Sequence, residues 1–109
     1  MNNILSVLDD LMLDNNDDVA MKLASDFRTR RIEKNFTREY VAQRSGVAVS
    51  NIVRFERTGL ISLKNLIAIA VVMGYASEIK DVFAEPKYST MEELAEIRKN
   101  AGKKKAHRS

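Results

Sequence analysis

The sequence predicts an all-α fold, one small helical domain in a chain of 109 residues with short appendages at both ends. Three observations carry this reading. Apolar residues recur at three- and four-residue spacing through most of the chain, with almost no alternating strand pattern. Proline occurs once, at Pro86. Gly46, Gly59 and Gly74 fall where helical segments should stop, and the fourth glycine, Gly102, lies near the end.

Over residues 4–13, Ile4, Leu5, Leu8, Leu11 and Met12 share one helical face, so a short amphipathic helix is expected there. Residues 15–18 read as a linker, with Asp18 placed to cap the next helix. A first core helix is expected over residues 19–34, its apolar stripe made by Ala20, Leu23, Ala24, Phe27 and Ile32. Thr37 caps a second helix over 38–45, with Val41 and Ala42 inward and Tyr40 at the edge. Gly46 permits the left-handed turn that ends it. A third helix over 49–57 comes almost at once. Ser62 caps a fourth over 63–73, apolar nearly all round from Leu66 to Met73, as suits a helix covered by a core or by a partner subunit. Ser77 caps a short fifth helix carrying Ile79, Val82 and Phe83. After Pro86, Thr90 and Glu93 have capping-box spacing and begin a last helix to about Lys99, with Leu94 and Ile97 on its narrow apolar edge. The organisation read from this is an acidic leader and linker (1–18), a helical domain (19–84), a linker and short helix (85–99) and a basic tail (100–109), low in apolar content and expected to be disordered.

Several function classes are excluded by composition. There is no cysteine, so disulfides, thiolate zinc sites and a cysteine nucleophile are ruled out. The only histidine is His107, which rules out a His-based triad and a multi-histidine metal site. No Gly-rich phosphate loop and no nucleophile beside a base is present, and Glu92 and Glu93 are explained by capping. The expectation is a protein that is not an enzyme and holds no metal or cofactor. The longest apolar run, Leu66 to Met73, falls far short of the roughly 20 residues that cross a bilayer. Asp9 and Asp10 interrupt the N-terminal apolar stretch, so no secretory signal and a cytoplasmic location are expected.

The formal charge of +3 conceals a sign split. Residues 1–20 carry five acids and no base, residues 21–84 eleven bases against six acids, and residues 85–109 seven bases against four acids. A positive body behind an acidic leader points to a polyanion partner, or to charges clustered by chance.

The segment from Arg38 to Arg57 sharpens that choice. Two helices of about eight residues joined at a glycine outline a helix-turn-helix. On a helical wheel of the third helix, Ile52 and Phe55 point to one side, where Val47 of the turn can join them. Ser50, Val53, Arg54 and Arg57 point the other way. Arg can bond guanine bidentately, Ser can bond several base edges, and Val49 and Val53 can touch thymine methyl groups. Val49, Ser50, Asn51, Val53 and Arg54 are therefore the candidate base-reading residues. Arg38 and Thr37 at the start of the second helix, with Arg44, Arg57 and Lys64, are the candidate phosphate contacts. From the wheel alone, a solvated polar face of an ordinary bundle fits equally well.

The stretch from Phe36 to Val47 resembles the start of the helix-turn-helix of the phage-repressor-like (Cro/C1, or Xre) family: an apolar residue, a Thr or Ser cap, a Gln-like residue, Glu, an aliphatic residue, Ala and the turn Gly. Ile52 to Glu56 continues the resemblance, and Leu66, Ala70 and Gly74 match the family's next helix. It covers residues 21–75. It implies a five-helix, lambda-repressor-like fold with the extra helices at both ends. It also implies a buried ion pair between Arg31 and Glu56, double-stranded operator DNA as partner, a homodimer, and a cytoplasmic, nucleoid-associated regulator of prokaryotic or phage origin. Ala48 departs from the family by standing where a Ser or Thr caps the recognition helix. That leaves the helix start open by about one turn around Val49, or moves capping to Ser50. The loop from Arg57 to Ser62 is short and lacks the family's frequent proline. Arg54 to Leu63 is similar to a subset encoded beside kinase-like toxins of the HipA type, in which the small protein is antitoxin and autorepressor. The function implied is a sequence-specific transcriptional repressor of its own operon, with a toxin-binding antitoxin as the alternative. The basic tail, Lys103 to Arg108, suits phosphate tracking or a merely solvated end.

Overall fold

The computed structural model describes residues 15–108. The helix expected over residues 4–13 lies outside the described residues. Among these there are six α-helices and no strand: α1 (Asn16–Glu33), α2 (Arg38–Ser45), α3 (Val49–Thr58), α4 (Leu63–Val72), α5 (Ala76–Lys80) and α6 (Met91–Asn100). The chain divides into two compact units, Met1–Ile79 and Lys80–Ser109.

In the first unit α1 packs on α3, and α2 packs on both α3 and α4. The core is small and comes from α1 to α4, the turn after α2 and the cap of α4: Ala24, Val41, Val47, Ile52, Phe55, Ile69 and Met73 are buried. Phe27 of α1 meets Phe55 of α3 at a centroid distance of 5.7 Å in a tilted arrangement, which favours contact between ring edge and ring face.

Helix α1 begins three residues earlier than the periodicity predicts. Asn15, not Asp18, is the cap; its Oδ1 accepts the Asp18 N–H at 2.9 Å. Asp17 and Asp18 then sit in the first turn, where the helix dipole favours anions. The inner stripe also differs from expectation. Ala24 is buried and Ala20 and Phe27 are half-buried, but Leu23 and Ile32 are exposed; Arg31, expected in a buried pair with Glu56 and found in it, takes the place that the stripe gave to Ile32. Ala20, Ala24, Phe27 and Arg31 keep the helical spacing, and an arginine occupies the last place because it has a buried carboxylate to meet. A hydrophobicity pattern assigns that place to Ile32. Helix α1 ends in a Schellman arrangement: the Phe36 N–H donates to Arg31 O at 3.1 Å and the Asn35 N–H to Ile32 O at 2.9 Å, with Asn35 left-handed at φ 60°.

The remaining ends are set by local chemistry. Thr37 Oγ1 accepts the Tyr40 N–H at 2.9 Å and Ser62 Oγ the Asn65 N–H at 3.2 Å. Helix α5 starts at Ala76, one residue before the expected Ser77 cap, with Tyr75 O accepting the Ile79 N–H at 3.1 Å. Val82 and Phe83 lie beyond its end and are exposed. In the second unit, Thr90 Oγ1 accepts the Glu93 N–H at 3.0 Å. Glu93 reaches back to the Ser89 N–H at 2.6 Å, one residue before the cap whose own N–H the motif would take.

Gly59, which ends α3, has φ 77° and carries a second constraint that the sequence does not announce. A Cβ placed on it would lie 3.0 Å from the Ala20 carbonyl carbon, because the start of α1 crosses here. Gly46 ends α2 with φ 78°, but a Cβ there would meet nothing within 4 Å. Gly46→Ala is therefore expected to destabilise the fold by about 1–2 kcal/mol through its left-handed backbone alone. Gly59→Ala is expected to cost clearly more, since the opposing atoms are backbone. Urea denaturation of the two variants checks the order.

Candidate nucleic-acid interface

The helix-turn-helix is formed by α2, the turn at Gly46, Val47 and Ala48, and α3. Two devices fix the turn. Gly46 takes the left-handed conformation and its N–H donates to Ala42 O at 2.9 Å. The Ser45 hydroxyl then accepts the Val47 N–H at 3.1 Å. Val47 is buried, so the turn is pinned to the core from below.

Helix α3 starts at Val49, directly after Ala48. The start is the one that the periodicity predicts; the missing cap does not displace it, and Ser50 does not take over the capping. The backbone of Ala48 is extended, makes no side-chain cap bond, and accepts the Asn51 N–H through its carbonyl at 3.0 Å. Val47 before the helix and Ile52 inside it are both buried, and that packing holds the start in place without a capping side chain.

The outward face of α3 presents Ser50, Asn51, Val53, Arg54 and Arg57, all exposed, with Val49 half-buried at its beginning. Arg54, Arg57 and Lys64 have no ion-pair partner among the described residues. Their donors are uncommitted. Thr58 Oγ1 donates back to Arg54 O at 2.7 Å.

The phosphate candidates stand in two different states. Thr37 is exposed but its oxygen is engaged in capping. Arg44 lies over the Tyr40 ring at 5.0 Å, and Tyr40 packs in turn against Phe36 in a tilted arrangement with centroids 4.5 Å apart. That cation–π contact holds Arg44 against its own helix while leaving it exposed. Arg38 is not free: its Nε donates to Glu56 Oε1 at 2.9 Å.

Glu56, on the inner side of α3, is the electrostatic centre of the unit. Its side chain is 3% exposed. Arg31 of α1 grips it bidentately, through Nε to Oε2 at 2.7 Å and Nη2 to Oε1 at 3.2 Å, while its Nη1 donates to Phe36 O at 2.9 Å. Arg38 of α2 adds its bond to Oε1, and Arg28 of α1 stands 3.9 Å from the same oxygen. The helical spacing on which the sequence reading rests did not bring out Arg28, which sits one turn before Arg31 at i−3. Among the described residues no buried side-chain polar atom is left without a partner. No group of acidic or histidine side chains among them has the arrangement of a metal site, and no helix among the described residues is long and apolar enough to cross a membrane.

Residues 27–79 match a family model described as helix-turn-helix. No curated protein and no solved structure gives a significant match to the chain.

Removing one partner of a buried pair leaves the other charge desolvated. Glu56→Ala is expected to cost about 3–5 kcal/mol, because Arg31 then has no anion. Arg38→Ala leaves Arg31 and Glu56 joined and removes only a partly exposed bond, so about 1 kcal/mol or less is expected. Chemical denaturation monitored by circular dichroism measures both.

Proposed function

We propose, on the premise that residues 27–79 are a Cro/C1-type helix-turn-helix domain, that this chain is a sequence-specific repressor reading the major groove with α3. The observation that carries the reading is the uncommitted outer face of α3. Ser50, Asn51, Val53 and Arg54 are exposed on one short helix, and among the described residues Arg54 has no acid to hold it back. Arg57, Lys64, Arg44, Arg38 and Thr37 flank that face and serve the backbone phosphates, which position the protein without reading sequence.

One recognition helix reads too few bases for useful specificity. The chain acts as a homodimer on half-sites about one helical turn, roughly 34 Å, apart. Helix α4 supports this. Ile69 and Met73 are buried, while Leu63, Ile67 and Val71, spaced four residues apart on another face, are 69%, 40% and 51% exposed. Such a stripe suits the two-fold contact of two copies. Repression is steric: an occupied operator overlapping a promoter excludes polymerase. The protein works in the cytoplasm, on the nucleoid, without a cofactor.

A second reading, an antitoxin that also binds a kinase-like toxin, draws support from Val82 and Phe83. These lie outside residues 27–79 and are 66% and 93% exposed. It expects a stoichiometric complex with the product of the neighbouring gene on copurification.

Fluorescence anisotropy with the DNA upstream of the gene, against a scrambled duplex, tests the main reading. A preference of about a thousandfold or more at physiological salt is expected. Arg54→Ala should lose about 1–3 kcal/mol at the cognate site alone, whereas Arg57→Ala should weaken both duplexes by the same factor. Equal weakening by Arg54→Ala removes Arg54 from base readout.

A further inference from the structure

Three guanidinium groups converge on the single carboxylate of Glu56. They are not equivalent. Arg31 is 8% exposed and all three of its nitrogens are bonded, so it belongs to the fold. Arg38 and Arg28 are 37% and 56% exposed and both approach Oε1. Arg38 has its Nε and its Nη2 at 2.9 Å from that oxygen, and its Nη1 is uncommitted. Arg28 stands at 3.9 Å, too far for a hydrogen bond, and has no other partner among the described residues. All its donors are therefore available.

Two exposed guanidiniums held close to one atom repel each other, and the one carboxylate they approach is already neutralised by Arg31. The cluster carries one negative and three positive charges, so a second anion placed over Arg28 and Arg38 removes the imbalance. Two neighbouring backbone N–H groups, of Arg38 and Glu39 in the first turn of α2, also lack an acceptor among the described residues. An oxyanion with several acceptor oxygens satisfies guanidinium forks and amides together, as a monovalent counterion does not.

We propose that Arg28 and Arg38 form a clamp on one DNA backbone phosphate, with Glu56 as the positioning residue that holds both guanidiniums beside the start of α2. The proposal rests on the DNA-binding reading and adds to it a contact from α1, outside the helix-turn-helix. Arg31 fixes the carboxylate, the carboxylate aims Arg38 and Arg28, and the phosphate completes the charge balance. A contact of this kind sets how α1 and α2 sit against the DNA backbone and carries no sequence preference of its own.

The test compares Arg28→Ala with Arg30→Ala in the full chain. Both remove one positive charge from α1, but Arg30 pairs with Glu33 at 3.1 Å and has no part in the cluster. Affinity for the upstream duplex and for the scrambled duplex is measured across a salt series. Arg28→Ala is expected to weaken both duplexes by the same factor and to make the slope of log affinity against log salt shallower by about one. Arg30→Ala is expected to leave the slope within a few tenths of the wild-type value. Thermal melting of Arg28→Ala should match wild type, because Arg28 is exposed, its contact is long, and Arg31 still pairs with Glu56. Equal slopes for Arg28→Ala and wild type, or equal shifts for the two variants, overturn the clamp while leaving DNA binding intact. A wild-type chain that binds neither duplex overturns both readings.

Discussion

The ion pair between Arg31 and Glu56 is the constraint on which the rest of the first unit depends. It joins the end of α1 to the inner side of α3, and its guanidinium also holds the carbonyl of Phe36, where the chain turns toward α2. Three helices thus take their mutual positions from one planar group with fixed donor directions. A hydrophobic contact in the same place would supply burial without direction. Buried charges of this kind are weak sources of net stability and strong sources of geometry, because a misplaced helix leaves a desolvated charge unmatched. The apolar residues, few as they are, drive collapse; the ion pair selects the arrangement in which α3 shows its polar face outward.

Around that centre the structure separates arginines by their commitment. Those facing inward or lying on α1 have acidic partners, while those on the outer face of α3 have none among the described residues. The same separation occurs along α6 and the basic tail. Glu92 and Glu93 occupy the first turn of the helix. Arg98, Lys99, Lys103, Lys104, Lys105 and Arg108 come after them, with no ion pair to any described residue.

Much of this was legible in the residues. The turn glycine, Thr37, Ser62 and Thr90 announced helix ends because capping is local chemistry. Ile52 and Phe55 against Arg54 announced the two faces of α3 because the helical period separates them. What was hidden depends on distant partners. Leu23 and Ile32 fit an apolar stripe, and the apolar pattern alone misplaces Ile32; it is the pairing of Arg31 with Glu56, 25 residues after it and legible only through the family resemblance, that puts an arginine inside and Ile32 outside. The doubt raised by Ala48 was a local inference defeated by packing, since Val47 and Ile52 anchor what a hydroxyl usually caps. Arg28 escaped notice because nothing in its own neighbourhood distinguishes it from the other arginines of α1. The close approach of Ala20 to Gly59 was hidden for the same reason: a glycine after a helix is explained by its dihedral angle, and the second requirement comes from a crossing chain.

The uncapped start of α3 separates two kinds of inheritance. In a helix begun by a Ser or Thr cap, the residue that opens the helix is both a structural part and a neighbour of the groove, so substitutions there change folding and recognition together. Here the opening depends on Val47 and Ile52, which point inward. Ala48, Ser50 and Asn51 contribute no bond to the fold beyond their own backbone. These exposed positions can then be exchanged with little loss of stability, because the interior that opens the helix does not depend on them.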